Sequence, residues 1–253
     1  MWSRFLVSLS IGLGLFSTIT AQVSIRDSSI SLVMVTPFYS GYQPGSDMEK
    51  RYGYTSIIGI ECGYKHRSNF YTSISVGYLF GENIKEKTIF KDIVASSGLF
   101  INQYGNLTSV GAQERGIVIP LRIGKIWPLR FPGNNPNSGI YTETGIQFLE
   151  HYIHIITDRS IPMLSGSYLK GYDRLTSGVG LLGSIGYRFF GNRRAINFFA
   201  GLEFSYNYTK SRRPYDFDLR QKSSQNRTDI LYGFRAGWTL PLYRQAPEKQ
   251  YFF

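Results

Sequence analysis

The sequence predicts an all-β chain: an up-and-down antiparallel transmembrane β-barrel of eight strands behind a cleaved signal peptide. Three observations predict it. Eight segments alternate large apolar side chains with small or polar ones at period two. Their connections alternate between short turns and long loops, the pattern of a barrel whose two rims face different compartments. The first 21 residues read as an export signal. Composition agrees. Charged residues are only 18% of the 253, below the roughly 25% of soluble domains, while 19 Tyr, 18 Phe and 27 Gly favour half-exposed strands with one small-residue face. The net charge of +11 is spread without a long run, so it fits an acidic lipid or sugar surface as well as nucleic acid.

The signal comes first. Arg4 supplies a short positive region, Phe5 to Phe16 the apolar stretch, and "STITA" small residues before Gln22. This stretch is shorter than the roughly 20 apolar residues of a spanning helix. The alternative is a retained N-terminal anchor. Residues 1–21 are therefore expected to leave, and 22–253 to form one barrel domain. Cys62 is the single cysteine, so no internal disulfide forms.

The strands are expected at 29–42, 54–65, 69–82, 115–127, 139–156, 175–190, 195–210 and 228–243, the first interrupted by Pro37. The third sets Phe70, Thr72, Ile74, Val76, Tyr78 and Phe80 against Tyr71, Ser73, Ser75, Gly77 and Gly81. The last sets Ile230, Tyr232, Phe234, Ala236 and Trp238 against Gly233, Arg235, Gly237 and Thr239. The connections "KHRSN" and "GNRRAI" are short and "PLRFPGNNPNSG" is longer but dense in Pro, Gly and Asn, whereas 43–53, 83–114, 157–174 and 211–227 are long. A soluble sandwich or lipocalin would show the same alternation with its apolar face inside. The export signal, aromatics near strand ends (Tyr64, Phe70, Trp127, Tyr187, Trp238, Tyr243) and charges on the small-residue face favour lipid outside.

That parity turns Glu61, Arg122, Glu143, Arg188, Glu203 and Arg235 inward. An eight-stranded lumen is just wide enough for side chains to fill it. Buried charges persist only when paired, so the six are expected to form a plug, with Arg235 on Glu203 of the neighbouring strand. A gate or a catalytic carboxylate is the alternative. No catalytic residue, metal site or cofactor is expected. His151 and His154 lie three apart on a strand and face opposite ways, as do the neighbours Glu150 and His151. "GVGLLG" at 178–183 matches a dinucleotide fingerprint literally but lies within a strand.

Two loops carry more than a connection needs. In 83–112, Ile89, Phe90, Ile93, Val94, Leu99 and Phe100 are expected to form a capping hairpin or short helix. In "SRRPYDFDLRQKSSQNR", Arg212, Arg213, Tyr215, Phe217 and Arg220 make a candidate lipid- or partner-binding surface, or a plain solvated loop. Nucleic acid is not an expected partner outside the cell.

With its eight alternating segments and the closing "RTDILYGFRAGWTLPLYRQAPEKQYFF", the chain resembles the small eight-stranded outer-membrane barrels of Gram-negative envelopes, the OmpA/OmpX-like class. The resemblance implies the outer membrane as location, its lipid as surroundings, and the barrel-assembly machinery as partner during insertion. Tyr243 and Phe253 compete as the terminal aromatic signal, and no peptidoglycan-binding domain follows the barrel. The expected role is non-enzymatic: a structural or accessory subunit of an envelope assembly or secretion machine, contacting an envelope protein through its long outer loops. A narrow pore and a lipid-modifying enzyme are the alternatives.

Overall fold

A computed structural model describes residues 29–129, 135–157, 161–191, 196–223 and 225–242. The signal segment, Tyr243, Phe253 and the centre of "GNRRAI" lie outside them. Eight antiparallel strands close into a ring. They are β1 (Leu32–Ser46), β2 (Thr55–Lys65), β3 (Phe70–Gly81), β4 (Gly111–Pro128), β5 (Gly139–Ile156), β6 (Thr176–Phe190), β7 (Asn197–Ser211) and β8. The last comes in two pieces, Asn226–Trp238 and Leu240–Leu242, and both pair with β1.

The break in β8 has a local cause. Continuing the β1–β8 register puts Pro37 opposite Trp238 and Thr36 opposite Thr239. Proline has no N–H for the ladder. The Thr36 hydroxyl instead donates to Thr239 Oγ1 at 3.2 Å, inside the wall. The proline therefore interrupts the closing seam, while β1 itself runs through it.

Side chains of one parity face out and are apolar: Ile117, Ile119, Leu121 and Ile123 on β4, and Ile140, Ile146 and Phe148 on β5. On β5 this band runs from Ile140 to Phe148 and ends at the carboxylate of Glu150, about the 9–11 residues a tilted strand needs to cross a bilayer. A soluble fold would leave such a surface in water, so the wall is the membrane-facing side. β4 and β5, at 18 residues each, continue past the band and carry the loop end. At the opposite rim, the Lys65 ammonium donates to Asn137 Oδ1 (2.8 Å), Ile30 O (3.0 Å) and Ser29 Oγ (3.2 Å). This holds residues 29–30 across the turn end.

Candidate functional site

The six charges Glu61, Arg122, Glu143, Arg188, Glu203 and Arg235 are all buried at mid-barrel. Arg235 Nη2 donates to Glu61 Oε2 at 2.6 Å, and its Nη1 reaches Glu143 Oε1 at 3.5 Å. Arg122 Nη2 donates to both oxygens of Glu203 (3.0 and 3.2 Å) and its Nη1 to Ser75 Oγ (2.8 Å). Arg122 also stands 3.6 Å from Glu143 and 3.8 Å from Glu61. Hydroxyls complete the carboxylates. Tyr42 donates to Glu203 (2.5 Å), Tyr71 to Glu143 (2.7 Å) and Ser184 to Glu143 (2.6 Å). Three acids meet three bases, so the layer is neutral as a unit.

Arg188 is held differently. Its nearest carboxylate oxygen, on Glu61, is 3.7 Å away, and Nη1 donates to Met34 Sδ. The rings of Tyr71, Tyr141 and Phe199 surround its guanidinium at 4.9–5.5 Å, a cation–π cage that substitutes for part of the lost hydration. Glycine makes room for this crowding. Gly201 faces Arg235 across the β7–β8 ladder, and a Cβ there would collide with the Tyr141 hydroxyl.

The expected Arg235–Glu203 pair is not made. The register sets Gly233 opposite Glu203, two residues from Arg235 and nearer the loop end. From its lower position the Arg235 side chain crosses the lumen to β2 and β5, leaving Glu203 to Arg122 and Tyr42. Directly above this layer lies a cavity of about 10 Å³ between Phe38, Tyr42, Ile57, Val118 and Arg122. It has room for about one water-sized sphere.

A second polar layer, toward the loops, was missed by the sequence reading. His151 Nε2 lies 3.0 Å from Asp229 Oδ2, and its Nδ1 lies 3.2 Å from the Tyr52 hydroxyl. Thr209 donates to the same Asp229 oxygen, and Thr55 donates to Glu114 Oε2. Parity was the available signal, because Asp229 shares the face of Arg235 and His151 that of Glu143. Both nitrogens of His151 are thus engaged, neither by a serine, while Glu150 faces outward. His154 is exposed on the outer parity, so the two histidines do not converge.

Above this layer the long loops form a cap. Arg174, buried at the entrance to β6, reaches Asp218 (2.6 Å), Asp216 (2.9 Å) and Glu86 (3.0 Å). Burial works against its charge, but the surrounding carboxylates outweigh that and raise the guanidinium above its ordinary pKa. Arg51 shares Glu86 at 3.2 Å, so four connections are tied at one point. Ile89 and Phe100 are buried beneath, and Phe90 packs edge-on against Phe100. The expected apolar loop is thus a 3₁₀ turn, Lys87–Phe90, followed by a small ladder pairing Phe100–Ile101 with Leu107–Thr108.

The five candidate loop residues do not form one open cationic surface. Arg213 is spent on Asp173, and Phe217 packs against Tyr172 and Tyr168. Arg212 lies over the outer wall, donating to Ser177 Oγ at 2.7 Å. Tyr215 faces out, and the exposed Arg220 comes no nearer than 3.7 Å to Asp92.

No family model matches the chain, and no curated protein matches it in sequence. Among solved structures it is similar to Ail, the attachment invasion locus protein of Yersinia pestis, in complex with the heparin analogue sucrose octasulfate. That likeness has 8% identity and a TM-score of 0.39, over 83% of this chain and 97% of that one. It is also similar to the outer membrane protein OprG from Pseudomonas aeruginosa, with 9% identity and a TM-score of 0.32 over 85% and 98%. Likenesses this distant add nothing about activity. The closed ring, its apolar wall and its inward charges make the chain a small transmembrane β-barrel of the outer-membrane type.

Proposed function

We propose that the protein is a closed, non-enzymatic outer-membrane barrel, a structural or accessory subunit of an envelope assembly or secretion machine. Its capped loop end faces the cell exterior and engages a protein partner, and its turns face the periplasm. The barrel-assembly machinery inserts it. One observation carries this reading. Six charges interlock across the mid-lumen beneath a cavity of about 10 Å³, and ion pairs tie the loops above them into a cap. A pore would need open lumen charges, and a hydrolase an accessible nucleophile beside His151. A rigid cap over a filled barrel suits display.

Planar bilayers test closure. The reconstituted protein gives no conductance steps, and steps from the intact chain would overturn the reading. Orientation is tested in a Cys62→Ser background, where Leu219→Cys reacts with an impermeant thiol label on intact cells. Partner engagement is tested by a photo-crosslinker at Tyr104 or Tyr168, both largely exposed on the loops. Each should give a discrete adduct with one envelope protein, and the absence of any adduct at both sites would sink that part.

A further inference from the structure

The barrel wall is not uniform. Along β6 the outward side chains are Ser177, Val179, Leu181 and Gly183. On either side the flanking strands raise larger groups. Phe148 and Tyr208 stand beside Val179, and Ile146 and Tyr206 beside Leu181. The result is a trough over β6, part of a groove of about 610 Å³ that continues past Ile146 and Phe148 to Ile119 and Leu121 of β4. At the next outward position below Leu181, Gly183 has no side chain, and the space a Cβ would take is open except for a carbonyl 3.9 Å away.

Its upper end is cationic. The next rung toward the loops aligns Glu150, Ser177 and Lys210. The Lys210 side chain is exposed and has no ion-pair or hydrogen-bond partner among the described residues. The guanidinium of Arg212, just past the end of β7, bonds to Ser177 and makes no ion pair among the described residues. Glu150 is the acid on this rung, opposite Ser177, and Arg213 nearby is paired with Asp173. On β1, β2 and β3 the outward residues at the loop end are Gln43, Gly45, Ser56 and Phe80, which carry no positive charge, and the cation beside them, Arg115 of β4, is turned onto Gln113 and the Glu114 carbonyl.

We propose that this trough binds a phosphate-bearing lipid of the loop-end leaflet, with one acyl chain along β6 and the phosphate at Lys210 and Arg212. The dimensions agree. From Ser177 to Gly183 the strand rises roughly 20 Å, and a tilt of about 40° turns that into about 15 Å of depth, one leaflet of a ~30 Å core. The aromatic walls give a chain more contact than a smooth surface, and the Tyr206 and Tyr208 rings suit the interfacial depth. The site does not depend on the lumen being closed, so a conducting barrel would leave it standing.

The test uses the full barrel in phosphatidylcholine vesicles, with Trp127 and Trp238 replaced by Phe. A single reporter is placed at Val179→Trp in the trough or Ile60→Trp on the opposite wall. Brominated phosphatidic acid is then titrated against brominated phosphatidylcholine, and tryptophan quenching gives the relative affinity. In the trough, phosphatidic acid is preferred by about 5- to 30-fold, as one or two cations near a lipid surface would give. At Ile60→Trp the preference stays near one. Lys210→Gln with Arg212→Gln lowers the trough value to that of the opposite wall, and Glu150→Gln does not. Equal preference at the two walls, or a trough preference that survives loss of both cations, overturns the proposal. Heat-modifiable mobility on gels identifies variants that have folded, and Arg212→Gln alone gives an intermediate preference.

Discussion

The mid-lumen layer and the cap bury the same chemistry in opposite ways. In the lumen, three arginines and three glutamates sit on six different strands whose register fixes each Cα. In the cap, one guanidinium gathers three carboxylates from two loops, and Arg51 takes a share of one of them. Strands bring the lumen charges together whether or not they pair, because backbone ladders hold the ring. The loops have only short ladders of their own, so the pairing itself positions them. A charge lost from the lumen should therefore be felt by the whole barrel, and one lost from the cap by the loops alone.

The largest expected effect is at Arg235. Arg235→Ala removes the closest partner of Glu61 and leaves Arg188 and Arg122 at 3.7 and 3.8 Å. It should destabilise the barrel by about 3–5 kcal/mol in urea unfolding from micelles. A double-mutant cycle identifies the partner. Arg235→Leu with Glu61→Leu should show coupling of about 1–3 kcal/mol, while Arg235→Leu with Glu203→Leu should show a smaller coupling. The reverse order would mean the cross-lumen geometry is wrong.

Tyr71→Phe probes the same layer more gently. It removes one hydroxyl donor to Glu143, at 2.7 Å, and leaves the ring over Arg188. Hydrogen bonds to charged groups contribute roughly 1.5–3 kcal/mol, so the unfolding midpoint should fall by that equivalent with an unchanged slope. A neutral result would mean that Ser184 and the arginines already satisfy Glu143.

The two regions also differ in how legible they were. Alternation fixes the face of a strand residue, because side chains repeat every two positions. It therefore gave the strands, the outward apolar band and the inward parity of Arg235 or Glu61. It could not give partners, since these depend on height in the barrel and on reach across it. Arg235 bypasses the neighbouring strand for that reason. Glu114 escaped because β4 begins at Gly111, before the expected start at 115, and Asp229 because it lies at the loop-end edge of its strand, before the alternation of large side chains begins at Ile230. In the cap no period exists. The apolar character of Ile89 and Phe100 was readable, but the meeting of Arg174 with Asp216, Asp218 and Glu86 depends on how separate loops fold over one rim.

The smallest expected effect on global stability is the sharpest test of the contrast. Arg174→Gln keeps much of the side chain's bulk but removes its charge, leaving Asp216 and Asp218 without their cation and Glu86 with Arg51 alone. Three acids then crowd a buried point, and the loops can relieve this by parting, which the strands cannot. Amide hydrogen exchange at 84–101 and 212–219 should accelerate by about tenfold to a hundredfold, a local loss of roughly 1.4–2.8 kcal/mol. The urea midpoint of the barrel should stay within about 0.5 kcal/mol of the parent, since the ladders are untouched. Exchange in the β4–β5 ladder should not change. If the barrel midpoint falls as far as it does for Arg235→Ala, cap and lumen unfold as one unit. The loops would then be part of the cooperative structure that the strands define.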